Sequence, residues 1–213
     1  ASKKINTWLV VSNYYPSFLK KLVVPYALIF EIFDKNGTSI KSTRLSLLPN
    51  QIIKICLNDY IYGTSESVES YFVKVERKPL AKGLRGSTRP HFFYETQNSM
   101  ATLHTQDGSH RKRSVILNTT QNKDKNFLFL INPHRKTASV KINYDYYNEL
   151  GNKIKTNYKS FKLNANGSKL LEIISNNITF NKKTTWSIKA AISIKSYLVT
   201  SDYNFKAISV DHL

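Results

Sequence analysis

The chain is poor in the residues that usually carry chemistry. It has one cysteine, few acidic side chains and no apolar run approaching a membrane span. Each scarcity excludes something. A lone thiol closes no internal disulfide and builds no cysteine-rich metal site. Cys56 sits in Ile52-Ile53-Lys54-Ile55-Cys56-Leu57, where it reads as a buried structural thiol rather than a nucleophile. The absence of disulfides leaves the compartment open. The longest apolar stretch, Leu22 to Phe33, is interrupted by Pro25 and Glu31. It falls short of the roughly 20 residues a spanning helix needs and reads as strand. Ala1 to Lys4 carry no apolar leader segment, which fits a removed leader, a trimmed chain or none at all. The carboxylates stand in hairpins or at strand ends, so no acid–base pair of the glycosidase kind can be nominated. Gly-x-Ser-x-Gly and His-Glu-x-x-His are both absent. The expectation is a protein without catalytic machinery and without a cofactor.

What is abundant is positive charge. Thirty-two Lys and Arg against 14 Asp and Glu give a net charge of +18, a field that attracts polyanions such as nucleic acid or acidic glycans. The chain is also rich in Lys, Asn and Ile throughout, so part of that excess is compositional. Aromatic residues at 12% and many β-branched residues exclude a disordered chain.

The sequence repeats itself. Trp8-Leu9-Val10-Val11-Ser12-Asn13 aligns with Phe127-Leu128-Phe129-Leu130-Ile131-Asn132, each followed shortly by proline (Pro16, Pro133). Leu28 to Gly37 aligns with Ile142 to Gly151, and Ile40-Lys41-Ser42 with Ile154-Lys155-Thr156. Leu45-Ser46-Leu47 before Asn50 then parallels Phe161-Lys162-Leu163 before Asn166. Asn36-Gly37 is a strong hairpin signal, because glycine accepts the positive φ of a tight turn, and Gly151 serves likewise. Leu28, Phe30 and Ile32 alternate with Glu31, the pattern of a strand with one face on a core and one in water. Helix signals are nearly absent. Short strands between Asn/Gly/Pro/Ser turns point to an all-β chain of two tandem antiparallel β-sandwich domains, residues 1–108 and 109–213. The pattern resembles the tandem immunoglobulin-like or fibronectin-like sandwiches of bacteria.

The boundary falls between Thr105 and Asp124. There Arg111-Lys112-Arg113 reads as solvated linker, and Val115 to Leu117 as linker or as a first strand of the second copy. Trp8 and Trp186 are expected in the cores. After Tyr71 the copies are expected to diverge, the first carrying a basic loop and a hairpin of its own.

That stretch holds the candidate site. If Gln97-Asn98 is a two-residue turn, His91 faces His104, with Arg89, Glu95, Thr102 and Gln106 on the same face. Arg77, Lys78, Lys82, Arg85 and Arg89 crowd the preceding segment, where Gly83 and Gly86 would let backbone amides approach an anion. The expected function is a non-catalytic interaction module of a surface, envelope or virion-like assembly, in an extracellular, periplasmic or cell-surface setting. Its partner would be an anionic polymer, a glycan or another protein, with self-association along strand edges. Two alternatives stay open: a nucleic-acid-binding protein, and a metal-dependent enzyme using His91 and His104 as ligands.

Overall fold

The computed structural model describes residues 3–15, 22–61, 69–83, 89–104, 111–118, 124–148, 150–173 and 184–212. The fold is all-β and antiparallel. Seven strands occupy the first half: β1 (Asn6–Ser12), β2 (Tyr26–Phe33), β3 (Ser39–Leu47), β4 (Ile52–Cys56), β5 (Phe72–Pro79), β6 (His91–Glu95) and β7 (Met100–His104). Seven more follow: β8 (Arg111–Asn118), β9 (Asp124–Ile131), β10 (Ala138–Tyr147), β11 (Lys153–Leu163), β12 (Ser168–Ile173), β13 (Thr184–Asp202) and β14 (Ile208–His212). No helix among the described residues is long and apolar enough to cross a membrane.

In the first half a four-stranded sheet, β4-β1-β6-β7, faces a three-stranded one, β3-β2-β5. The alternation read from Leu28, Phe30 and Ile32 is realised. All three are fully buried and pack with Leu9 and Val11 of β1 and Ile55 of β4. The second half buries Leu128, Leu130, Val140, Ile142, Trp186 and Ile188 in the same manner. Each such side chain is worth about 1.5–3 kcal/mol of burial, so these clusters hold the sheets face to face.

The pairing repeats along the whole chain. β1 pairs with β4 and β6, and β2 with β3 and β5. β9 pairs with β12 and the later part of β13, while β10 pairs with β11 and the earlier part of β13. β14 pairs with β13 as β7 does with β6. The earlier part of β13 is therefore the counterpart of β5, its later part of β6, and β14 of β7. The expected divergence after Tyr71 is corrected: the second copy runs through one long strand where the first breaks it with residues 80–90. By pairing with both β10 and β9, this long strand joins the second half into one seven-stranded sheet. The linker reading of Arg111-Lys112-Arg113 is corrected too. These residues begin β8, which pairs with β13 and includes Val115 to Leu117.

The shared asparagines clamp each copy. Asn13 is fully buried, and its Nδ2 donates to the carbonyls of Val24 (2.9 Å) and Leu47 (3.3 Å). Asn132, equally buried, donates to Lys136, Leu163 and Asn164 at 2.7, 3.1 and 2.8 Å. Asn50 and Asn166 adopt positive φ (61° and 53°) in the turns that bring these carbonyls round. Asparagine tolerates that region better than most residues.

The halves meet on a third apolar cluster, in which Phe33, Phe72 and Leu103 of the first pack with Ile131 and Tyr197 of the second. Hydrogen bonds fasten two points. The β6–β7 turn donates from Asn98 N (2.9 Å) and Thr96 Oγ1 (2.6 Å) to the Lys206 carbonyl, and Ile208 N donates to Ser99 Oγ at 2.8 Å. The β2–β3 hairpin abuts the β11–β12 turn, where Ser168 N donates to the Lys35 carbonyl at 3.2 Å.

Candidate functional site

The predicted hairpin register is the observed one. Thr96 N donates to Ser99 O at 2.9 Å, and His91 pairs with His104, Phe93 with Thr102 and Glu95 with Met100. The two imidazoles stand edge to face with ring centroids 6.4 Å apart. Among the described residues no third His, Cys, Asp or Glu joins them in a group able to hold a metal ion. Glu95 is engaged elsewhere, accepting a 2.7 Å hydrogen bond from the indole of Trp8.

Trp8 is thus not in the core. Leu9 and Val11 of β1, and Asn13 just after it, take the inward positions, which turns Trp8 and Val10 to the outer face. There Lys54 Nζ lies 3.9 Å from the centroid of the Trp8 ring. Cys56 is half-buried rather than buried for the same reason: it pairs with Trp8, one residue beyond the inward Ile55.

The predicted basic residues separate into two groups. Arg77, Arg89 and His104 line one cavity of about 530 Å³ between the halves of the chain. Lys78 and Lys82 do not. Lys78 is exposed and stands 3.5 Å from Glu76, a solvated pair worth little. Gly83 packs closely on the Leu22–Val24 segment, since a Cβ there would lie 2.8 Å from the Leu22 carbonyl and 2.5 Å from Val24. Arg85, Gly86 and Gln106 lie outside the described residues. His91, Thr102 and His104 share one face of the hairpin with Phe93, opposite Phe92 and Leu103, and of the three only His104 borders the cavity.

The cavity takes its wall from both copies. β5, the segment before β6 and β6 itself bring Arg77, Arg89 and Phe92, and β13 brings Lys195, Tyr197 and Val199. Phe72 and Arg77 both border it, and five residues of strand separate them by roughly 16 Å. Its size is that of a small-molecule site. Arg77 is the informative residue. It pairs with the buried Leu28, as Ile188 of the second copy pairs with the buried Ile142. Ile188 is a core residue at 2% exposure. The first copy therefore places a guanidinium where the plain version of the fold places an aliphatic side chain.

A second departure lies nearby. Asn126 and Thr200 pair across β9 and β13 and share a 2.8 Å hydrogen bond. Their counterparts are Thr7 and Tyr94, which pair across β1 and β6 and both line the cavity. Thr7 Oγ1 is buried there with no hydrogen-bond partner. An orphan hydroxyl of this kind is costly, and a ligand or water with a polar atom would relieve it.

The tyrosines around the cavity are held protonated. Burial pushes Tyr197 up to about 12. Tyr94, walled in beside it, is pushed higher still by burial and then by its neighbour Tyr197. Burial and a hydrogen bond to Glu69 raise Tyr71, also to about 12. A tyrosine in the unfolded chain ionises near 10. Between pH 10 and 12 the unfolded state therefore loses protons that the folded state keeps, and stability falls as pH rises. For the buried Tyr197 the loss is about 3 kcal/mol by pH 12. Thermal melts at pH 9 to 12 should show this decline, and Tyr197→Phe should flatten it. An unchanged slope would mean that Tyr197 ionises freely.

No family model and no curated protein matches the sequence. Solved structures give faint likenesses. One is a β-glucuronidase 2 of Bacteroides uniformis covalently bound to cyclophellitol-6-carboxylate aziridine, at 8% identity and a TM-score of 0.25 over 98% of this chain and 24% of that one. Another is a β-glucuronidase from glycoside hydrolase family 2, at 9% identity and 0.25 over 98% and 22%. This chain spans about a quarter of their length. Superposition that loose carries no argument about fold or function.

Proposed function

We propose that the chain is a non-catalytic binding module, two tandem immunoglobulin-like β-sandwiches divided near residue 108, whose contact site is the cavity between them. The preferred ligand is a small anion on an apolar body. The observation that supports this most is that Arg77 and Arg89 border one cavity of about 530 Å³ together with Lys195 of the other copy. The two guanidiniums suit a carboxylate or phosphate, which arginine grips in a fork, on a wall that also carries the carboxylates of Glu69 and Glu76. Phe92, Val199 and Phe205 among the other lining residues suit an apolar body.

A polyanion running over the surface is the less favoured arrangement, because Lys78 and Lys82 stand outside this cluster. Calorimetric titration with octyl phosphate, inorganic phosphate and octanol separates the contributions. Octyl phosphate should bind once per chain and at least tenfold tighter than either fragment. Arg77→Gln with Arg89→Gln should weaken it by tenfold or more, since a charge-assisted hydrogen bond is worth about 1.5–3 kcal/mol. Equal binding by wild type and double variant would overturn the reading.

A further inference from the structure

The repeat carries its own account of an unused interface. In the second copy, Phe127, Phe129, Val199 and Ile208 project from the outer face of the β12-β9-β13-β14 layer and line the space beneath the first copy. Phe127, Ile131 and Tyr197 are each only 7% exposed there. The matching pairings fix the counterparts in the first copy. Trp8 stands for Phe127, Val10 for Phe129, Phe93 for Val199 and Met100 for Ile208. These four lie on one outer face, where Trp8, Val10 and Phe93 are half-buried. Lys54 and Glu95 partly cover Trp8, while Met100 is 55% exposed.

The other side of the junction is duplicated too. The first copy inserts the hairpin of Asp34 to Thr38 against the β11–β12 turn so closely that a Cβ on Gly37 would lie 1.9 Å from the Ala165 carbonyl oxygen. The second copy has the same hairpin. Asn148 N donates to Asn152 O at 2.9 Å as Asp34 N does to Thr38 O, and Gly151 has φ 80° as Gly37 has 87°. At this second hairpin no described residue lies within 4 Å of a Cβ on Gly151, and Leu150 is 84% exposed. The turn equivalent to its docking partner, Leu48 to Gln51, is tied to Asn13 by backbone hydrogen bonds and leaves Leu48 56% exposed.

We infer that a second copy of this chain docks here, the Asn148–Asn152 hairpin of one molecule on the Trp8, Val10, Phe93 and Met100 face and the Leu48 turn of the next. The operator is the one that already relates the two halves. The contact is head to tail, so it does not close on itself and continues into a string of molecules. Its residues lie apart from the cavity, and the inference stands independently of the anion site.

Sedimentation velocity over a concentration series tests it. Wild type should form dimers and longer strings as concentration rises. Met100→Glu and Leu150→Glu, both at exposed positions, should each remain monomeric with unchanged melting curves. Mixed one to one, they should form a dimer that grows no further, because the first keeps its hairpin end and the second its sheet face. Phe93→Glu should replace Met100→Glu in that mixture with the same result. A wild type that stays monomeric at its highest soluble concentration overturns the inference. So does self-association blocked by Met100→Glu but not by Leu150→Glu, which would mark a two-fold dimer through the sheet face alone.

Discussion

Asn132→Ala is expected to remove about 4 kcal/mol of stability, seen as a lowered midpoint of urea unfolding. The side chain is fully buried, and its Nδ2 group serves the carbonyls of Lys136, Leu163 and Asn164. Its Oδ1 also accepts from His134 N at 3.2 Å. Alanine would strand those carbonyls, and each buried polar group left unmatched costs about 1–3 kcal/mol. The loss is discounted from the full sum because the turn can relax toward water. Asn132→Asp separates hydrogen bonding from volume: the shape is kept, but a carboxylate has no donor and would face three carbonyl oxygens. It should be at least as damaging as alanine. Asn13→Ala should likewise destabilise, because that buried side chain serves the carbonyls of Val24 and Leu47. An Asn132→Asp protein as stable as wild type would show that the clamp is not what holds the turn.

Gly37→Ala carries the second large effect, and Gly151→Ala is its matched control. Both positions have positive φ, 87° and 80°, so both substitutions incur the left-handed penalty of about 1–2 kcal/mol. Only at Gly37 does the new Cβ meet backbone, 1.9 Å from the Ala165 carbonyl oxygen and 3.1 Å from Gly167 N. Neither is the movable end of a side chain, so the junction between the copies must open. Total destabilisation of about 3 kcal/mol or more is expected at Gly37 against about 1 kcal/mol at Gly151. Because the same junction walls the cavity, Gly37→Ala should also weaken octyl phosphate binding while Gly151→Ala leaves it intact. Equal losses at the two glycines would mean that the hairpin is not wedged against the second copy.

Much of this was legible in the sequence because local chemistry and tertiary structure agree. Asn-Gly in one copy and a lone glycine in the other mark hairpins whose positive φ needs no tertiary explanation. The recurring Asn13 and Asn132 signal a shared device, though only the structure identifies it as a carbonyl clamp. The His91–His104 register followed from one turn and the two-residue period of a strand. What stayed hidden depended on phase and on insertion. In Trp8-Leu9-Val10-Val11 every residue is apolar, so alternation alone does not say which side faces inward. The buried Asn13 sets the phase and sends Trp8 and Cys56 outward. The equivalence of β5 to β7 with β13 and β14 was masked by residues 80–90, which break one strand into two and displace the alignment. The site was half legible for a related reason. Sequence proximity grouped Lys78 and Lys82 with Arg77, but alternate strand residues face opposite ways. Lys195, by contrast, arrives from the other copy and no local pattern points to it.

The most direct test of the anion-binding cavity is a heteronuclear NMR titration of the intact chain with octyl phosphate. Saturable shifts are expected at Arg77, Arg89, His104, Lys195, Tyr94 and Tyr197, the residues that line one space from two copies. Shifts confined to exposed lysines such as Lys78 and Lys82, with the cavity residues unmoved, would contradict the account.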